Sequence, residues 1–418
     1  MKIISGSKRY ARGIFVRQSE ARKYCFCNEN NIVYIDQEVI KMQKVSDVKC
    51  KGVIISENIM FSHIVSLFLS MNIFVLIAQE SELAGLQSNN EIFLDLREAC
   101  FIENFEVDLE ELLYRNREDY SRVSTKDGVM IELLSTIKNE QNAIESSVLK
   151  LKKVGIVSTE FLLFYDEEYS KEKIRMQLES ICSQLTGCDI AIRLYDVAND
   201  KMPKWIKNKF SDQAYDVRGI RLAQVDGFEC YFADLCEIVE ELQEEYNLSI
   251  LIPFVSNLED VLFAKRLFKI EKNSKPTHFG AMIEHPAALS GMGNLEKEVD
   301  FFSIGTNDMM QYFFGSYRDD MTSSKYLDPY SCEFLSFIAN VNENIKNKTK
   351  ICGQLTLYPY MIEILIVLGY RQFSITPNAI PLIYHRIQSF DSSKLNRMKE
   401  MISVMDNKEL VKYIYSKI

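Results

Sequence analysis

The sequence predicts an α/β protein in which a large unit of alternating strands and helices follows a smaller β/α unit. Three observations support this fold class. From about residue 124 onward, eight short apolar segments alternate with helical patterns. Residues 52–77 hold a separate strand–helix–strand pattern, and residues 106–114 carry apolar side chains at helical spacing amid charge. Eight strands with intervening helices are what a (β/α)8 TIM barrel requires.

The eight predicted barrel strands are short and apolar, and several are rich in β-branched residues. In chain order they are Val129–Leu134, Val154–Val157, Ile190–Leu194, Ser249–Phe254, Phe279–Glu284, Val299–Ile304, Thr349–Gly353 and Gln372–Thr376. Helical patterns separate the strands. One example is residues 233–246, where glutamates line the face expected to contact solvent.

The smaller unit precedes the barrel. Gly52–Ser56 predicts a strand, Ser62–Ser70 a helix and Ile73–Ile77 a second strand. The charged amphipathic pattern from about residue 105 predicts a connecting helix. We therefore expect a first domain at residues 1–104, a linker helix at 105–123 and the barrel at 124–418.

Composition narrows the functional classes. The chain has 418 residues, 47% of them hydrophobic, and a formal net charge of −10. This supports two globular domains and argues against a general nucleic-acid or anionic-membrane binder. The ten cysteines lack zinc-site spacing, and the chain shows no signal peptide or membrane-spanning run. We expect a soluble cytoplasmic protein with reduced thiols.

Two acidic residues lie where neighbouring predicted strands end. Glu284 closes the strand that begins at Phe279, and Asp308 follows the strand that ends at Ile304. Carboxyl ends of parallel strands meet at one face of a barrel, which is where barrel active sites lie. Mg²⁺ is commonly held by one or two carboxylates together with phosphate oxygens. The pair therefore predicts a Mg²⁺ site that serves a phosphorylated ligand.

Several motifs resemble a known family and follow its order along the chain. They are Arg193–Asp196, Arg218–Arg221, Gly280–Pro286, Glu298–Asp308, Gln311-Tyr312 with Arg318, and Ile351–Gly353. These motifs resemble the barrel of the phosphoenolpyruvate (PEP)-utilising enzymes, most closely enzyme I of the bacterial sugar phosphotransferase system. The count of eight strands draws on this resemblance as well as on the apolar pattern.

The resemblance implies a role for each matching residue. Glu284 and Asp308 would hold Mg²⁺, and Cys352 would protonate the enolate that remains after phosphate leaves. The groups expected to bind the phosphate and carboxylate of PEP are Arg193, Arg218, Asn307 and Arg318. Arginine suits this task because its planar guanidinium bonds two oxygens at once.

The first domain resembles the swivelling phosphohistidine domain of the same family. The family's Ser-His pair aligns with Ser62-His63, so the resemblance implies that His63 accepts the phosphoryl group. A helix N-terminus suits a phosphoryl group because its backbone N–H groups are unpaired. The resemblance further implies PEP and pyruvate as ligands, an unidentified phosphocarrier protein as partner, and a homodimer formed through the barrel.

The chain also departs from the family pattern. Ser158 stands where the family has an arginine, Gln354 replaces a glutamate, and Asn58–Phe61 replaces a Gly-Gly-x-Thr run. Val197–Asn199 replaces a Gly-Gly pair, and the helical insertion that docks the carrier protein in enzyme I has no counterpart.

These departures leave two alternatives beside PEP-dependent phosphotransfer through His63. One is a catalytically degenerate protein that binds PEP or pyruvate and regulates a partner. The other is a barrel that performs lyase or mutase chemistry on an enolpyruvate-type substrate without His63.

Overall fold

The described residues of the computed structural model fall into two groups, one on either side of residues 102–118. They are 2–5, 10–17, 31–35, 50, 52–55, 73–78, 80–83, 86, 91–95, 100–101, 119–163, 168–197, 217–225, 227–268, 277–316 and 326–417. His63, Arg318, the predicted helix Ser62–Ser70 and most of the predicted linker helix lie outside them.

A closed barrel of eight parallel strands forms the larger part of the structure. Its strands are β9 (Met130–Ile137), β10 (Lys153–Ser158), β11 (Asp189–Arg193), β12 (Asn247–Ile252), β13 (His278–Ile283), β14 (Phe301–Gly305), β15 (Thr349–Cys352) and β16 (Gln372–Ile375). Each strand pairs with the next in chain order, and β16 pairs with β9 to close the cylinder. The short strand β8 (Arg122–Ser124) pairs antiparallel with β9 outside the cylinder.

Helices connect the barrel strands and continue to the C-terminus. They are α1 (Glu140–Val148), α2 (Lys171–Ser183), α3 (Glu229–Leu242), α4 (Leu258–Leu267), α5 (Pro286–Ser290), α6 (Met292–Leu295), α7 (Thr306–Phe314), α8 (Cys332–Ala339), α9 (Glu343–Lys346), α10 (Met361–Val367), α11 (Ile380–Ser389), α12 (Met398–Met401) and α13 (Asn407–Lys417). Several of these helices start after a polar residue whose side chain caps the first turn. Asn257, for example, accepts a hydrogen bond from the Asp260 N–H at the start of α4.

The barrel strands separate two apolar regions. Their outward side chains pack with the helices into the main core, whereas a smaller inner cluster contains Ile156, Leu251, Met282 and Cys352. Side chains that alternate between two buried faces explain why the strands have nearly continuous apolar sequences. Phe301 lies across the interior against Gly280, where an added Cβ would come within 2.2 Å of the ring.

The predicted fold class is confirmed. Each of the eight predicted strands overlaps an observed barrel strand, with ends that differ by at most a few residues. The helix predicted at residues 233–246 occurs at Glu229–Leu242. It stops earlier because residues 243–245 continue as turns, so the last part of the amphipathic pattern is not helical.

A separate seven-stranded sheet lies before the barrel in the chain. Its strands are β1 (Lys2–Ser5), β2 (Tyr10–Arg17), β3 (Asn31–Ile35), β4 (Gly52–Ile55), β5 (Phe74–Ile77), β6 (Glu91–Asp95) and β7 (Cys100–Phe101), in the spatial order β1-β5-β4-β3-β2-β6-β7. Strands β2 to β5 are parallel. The two strands predicted at residues 52–56 and 73–77 are therefore neighbours in this sheet.

Within the described residues, no helix combines the length and apolar character required to cross a bilayer. The domain boundaries at residues 104 and 123 stay predictions.

Candidate active site

The sequence-predicted site residues meet at one end of the barrel. Arg193 ends β11, Glu284 directly follows β13, and Cys352 ends β15. Asp308 lies in the first turn of α7, which starts immediately after β14. Because all barrel strands are parallel, these positions share the carboxyl-terminal mouth of the cylinder.

Three buried carboxylates form the centre of this mouth. Asp196, Glu284 and Asp308 each offer an oxygen, and these oxygens lie within 4.8 Å of one another. The sequence analysis assigned a ligand role only to Glu284 and Asp308. Asp196 belongs to the Arg193–Asp196 motif and follows β11, so its position at a strand end was the signal that could have identified it.

Arg218 bridges two of the carboxylates. Its Nη1 donates to Asp308 Oδ1 at 2.7 Å and its Nη2 donates to Asp308 Oδ2 at 3.1 Å. The same Nη2 also donates to Asp196 Oδ2 at 3.0 Å. Although burial disfavours its charged form, Asp196 and Asp308 raise the pKa of Arg218 well above its usual value. Arg218 is therefore a permanent cation within the carboxylate cluster.

Arg193 approaches the cluster from the barrel wall. It forms a close ion pair with Glu160, and its Nη1 lies 3.2 Å from Asp196 Oδ2. Two buried polar atoms of this pair, Arg193 Nε and Glu160 Oε2, have no hydrogen-bond partner within the described part of the chain. Buried polar groups are usually satisfied. The two atoms therefore mark a place where a polar ligand group would complete the bonding. Burial opposes its charge, but Glu160 and Asp196 raise the pKa of Arg193.

Glu284 has a strongly raised pKa. Burial, followed by the charges of Asp196 and Asp308, raises its pKa from 4.5 to about 8, while Arg218 and Arg193 partly oppose the shift. Its Oε2 accepts the Phe254 backbone N–H at 3.0 Å. Gly305 faces it closely, since an added Cβ there would lie 2.6 Å from Glu284 Oε1. The carboxyl group is thus confined to one position.

Cys352 lies on the inner face of the barrel beside these groups. Its Sγ donates to the Ile304 carbonyl at 3.2 Å and accepts from Ser303 Oγ at 3.3 Å. Burial raises the pKa of the thiol to about 12. Cys352 therefore remains a protonated thiol at neutral pH, as a proton donor must.

Asn307 occupies the first turn of α7 and braces the neighbouring loop. Its Oδ1 accepts the Gln354 backbone N–H at 2.7 Å. Gly353, the residue before Gln354, has a φ of 95°, and an added Cβ would lie 2.9 Å from Asn307 Oδ1. Glycine is favoured at this position because both the conformation and the close approach exclude a side chain.

Phe254 borders the mouth in an unusual backbone conformation, with a φ of 55°. The guanidinium carbons of Arg218 and Arg221 each lie 4.9 Å from the centre of its ring. The ring of His285 lies 5.4 Å away, and His285 Nε2 is 2.9 Å from Ser256 Oγ. His285 was predicted to be structural, and its Nδ1 accepts the Ala288 N–H at the start of α5.

The charge balance of the mouth fits a divalent cation. Four acidic groups contact or adjoin two arginines here. When all four acids are ionised, the cluster has two uncompensated negative charges. Oxygen-only donors at this spacing suit Mg²⁺, and a cation would relieve the repulsion that raises the Glu284 pKa. The residues present therefore fit the metal that the sequence predicts.

Comparison with known proteins identifies the family. Residues 115–392 match the PEP-binding domain of the PEP-utilising enzymes. This match extends over most of the barrel.

Several relatives have similar sequences. A phosphoenolpyruvate-protein phosphotransferase from Mycoplasma pneumoniae is 28% identical, covering 71% of this chain and 52% of its own length. One from Buchnera aphidicola is 27% identical, covering 77% of this chain and 60% of its own. A multiphosphoryl transfer protein from Rhodobacter capsulatus is 28% identical, and the match covers 63% of this chain and 33% of that protein's own length.

The chain spans about half the length of the first of these relatives. The matched segment includes the eight barrel strands and the described groups at their carboxyl ends. The chain therefore belongs to the PEP-utilising enzyme family and carries its PEP-binding domain.

Proposed function

We propose that the barrel binds PEP together with Mg²⁺ and that the phosphoryl group passes to His63 and then to an unidentified acceptor, with release of pyruvate. One observation carries the proposal. Three buried carboxylates meet within 4.8 Å at the carboxyl-terminal mouth, beside two buried arginines. This combination supports a divalent-cation site beside side chains of the type that binds phosphate and carboxylate oxygens.

Glu284 and Asp308 would hold the metal, with Asp196 as a third ligand. When bound, Mg²⁺ neutralises phosphate charge as the phosphoryl group departs. Arg193 and Arg218 would bind substrate oxygens, and the unsatisfied Arg193 Nε offers one donor for this purpose. Asn307 and Arg318 would complete substrate binding, as the family resemblance implies.

Cys352 would supply the proton that converts the enolate of pyruvate into its methyl group. Its raised pKa, about 12, supports this role because the thiol holds its proton until a strong base such as an enolate forms. Its hydrogen bonds with Ser303 and Ile304 orient the sulfur. The bond from carbon to the thiol proton forms as the S–H bond breaks, and the resulting thiolate recovers a proton from solvent.

His63 as acceptor rests on the Ser62-His63 resemblance, because these residues lie outside the described structure. The relatives' names, phosphoenolpyruvate-protein phosphotransferase, support transfer to a protein. A phosphocarrier protein is therefore the proposed partner, and pairing through the barrel is the proposed oligomeric state.

Labelled PEP tests the proposal directly. The full chain is incubated with [³²P]PEP and Mg²⁺, and both acid-labile protein label and pyruvate are measured. We expect label on the wild type, none on His63→Ala, and unchanged label on His385→Ala, which alters a half-buried histidine on α11. Label that survives in His63→Ala, or a wild type that neither gains label nor releases pyruvate, contradicts the proposal.

A regulatory protein that binds PEP or pyruvate without turnover is the second candidate. Ser158 stands in place of the family's arginine, near Glu160, whose Oε2 has no hydrogen-bond partner among the residues that the structure describes. The arginine that would bind substrate at position 158 in the family is therefore missing from this chain. Calorimetry that detects PEP binding with Mg²⁺, together with no label and no pyruvate, would establish this alternative. Steady pyruvate release would exclude it.

A further inference from the structure

A cavity of about 600 Å³ opens at the amino-terminal end of the barrel, opposite the carboxylate cluster. Residues from the starts of several strands line it. Among them are Lys153, Asp189, His278, Phe301 and Lys350. Its volume falls within the range of small-molecule sites, roughly 300–1,000 Å³. The proposed function uses none of these residues.

Lys350 is the unusual member of the lining. It lies on β15 two residues before Cys352, so both side chains project into the barrel. Its Nζ lies 4.0 Å from the centre of the Phe301 ring. Among the described residues, no hydrogen bond or ion pair satisfies this amine. Phe301 is held in place because Gly280 leaves room for its ring.

Three other charged groups at this end have partners in the protein. Lys153 Nζ lies 3.0 Å from Glu132 Oε1, and Lys348 Nζ lies 3.2 Å from Glu296 Oε1. Asp300 Oδ2 accepts the Phe279 N–H at 2.8 Å. Lys350 is half-buried, and its amine has no hydrogen-bond or ion-pair partner among the described residues, whereas internal charges are normally compensated.

The pKa of Lys350 is consistent with that position. Burial, and then repulsion from Lys153, lowers it from 10.5 to about 8. The amine is still mainly protonated at neutral pH. A negatively charged ligand would therefore find a cation that is neither neutralised nor fully hydrated, in a cavity large enough to admit it.

We propose that this cavity is a second ligand site, in which Lys350 binds a small anion such as an organic carboxylate or inorganic phosphate. The Phe301 ring and Leu248 supply apolar contact for the body of an organic ligand, and the cationic amine supplies the charge partner. The site is independent of PEP chemistry, because it lies at the other end of the cylinder from the carboxylates.

Binding at Lys350 should depend on pH in a defined direction. An anion favours the protonated amine, so affinity is constant below the ligand-free pKa and falls about tenfold per pH unit above about 8. The charged or titratable groups that face Lys350 from the surrounding strands and loops are Glu132, Lys153, Asp189, Tyr246, His278, Asp300, Lys348 and Cys352.

Isothermal titration calorimetry with acetate and with inorganic phosphate tests the site and distinguishes the two ligand types. The Glu284→Gln background is used so that ionisation at the opposite mouth does not contribute to the pH dependence. We expect Lys350→Met to weaken binding by about 10- to 100-fold, as loss of a charge-assisted hydrogen bond requires. The control Lys412→Met should change it by less than about twofold, since this exposed lysine on α13 lies outside the cavity.

Acetate binding also consumes protons above neutral pH, when part of the Lys350 population must be recharged. At about pH 8 the uptake should approach half a proton per anion, measured in two buffers of different ionisation enthalpy. This measurement needs no substitution at Lys350, so it decides the question even when Lys350→Met fails to fold. No binding of either anion, equal affinity in the two lysine variants, or a pH-independent affinity for acetate overturns the proposal.

Discussion

At the scale of single residues, a position at the carboxyl end of a predicted strand was the sequence feature that indicated a site residue. Glu284 and Asp308 were assigned from their places at strand ends, and the structure brings their oxygens together. Asp196 also follows a strand end, but it was not assigned a ligand role because the sequence does not show which neighbours the loop after β11 approaches. The bridging position of Arg218 was equally unpredictable, since β11 and the segment that carries Arg218 are separated in sequence.

Cys352 provides a residue-scale prediction. Its buried thiol, with a pKa of about 12, should resist iodoacetamide at about pH 8, because only about one molecule in 10⁴ is a thiolate there. The exposed Cys230 should be alkylated in the same folded sample. Peptide mapping by mass spectrometry measures both sites. In the urea-unfolded control both cysteines should react, and equal reaction of the two in the folded protein would contradict the assigned burial.

At the scale of elements, the strands were easier to predict than their surroundings. Strands buried on both faces produce continuous apolar runs, and these runs together with the family resemblance located all eight. Helix ends depend on caps and tertiary contacts, which is why α3 begins before the predicted residue 233. The partners of β1 and β6 were also unpredictable, because antiparallel edge strands join the first sheet through contacts distant in sequence.

The contact between β13 and β14 provides a prediction at this scale. Gly280→Ala would place a Cβ 2.2 Å from the Phe301 ring, so the ring or the strand must move. Overpacking of this kind costs about 1–3 kcal/mol. Urea denaturation should show the loss in the free energy of unfolding.

Gly293→Ala is the matched control for this change, because its added Cβ meets nothing within 4 Å. It lies in α6, where alanine is the better helix former, so we expect no loss of stability. Equal effects of the two substitutions would show that the ring and the glycine are not in contact.

At the scale of the whole molecule, the carboxylate cluster couples global stability to pH. Glu284 has a folded-state pKa of about 8 against an ordinary value of 4.5. Between these values only the folded state retains the proton, so the free energy of unfolding falls as pH rises, by at most about 1.4 kcal/mol per pH unit. Below the lower value and above the upper one, Glu284 adds no pH dependence.

Mg²⁺ should reverse this loss, because it binds the ionised carboxylates of the folded protein. We expect the metal to raise the melting temperature more at about pH 8 than at about pH 6, where a proton must first leave Glu284. Thermal unfolding with and without Mg²⁺ measures the effect.

Glu284→Gln should flatten the pH dependence and remove most of the gain from Mg²⁺. Glu259→Gln alters an exposed acid on α4 and should behave as wild type. A metal effect that is unchanged in Glu284→Gln would place the cation elsewhere.

Phe254 gives the mouth of the barrel a property that none of its charged groups could provide. Arg218 and Arg221 both rest against this one ring, and the electron-rich face of an aromatic ring attracts a cation without forming an ion pair. Mutual repulsion between the two guanidinium groups is thereby offset by a hydrophobic side chain. Both guanidinium groups can therefore remain close together at the mouth, and the uncharged ring does not compete with an incoming anion for their positive charge.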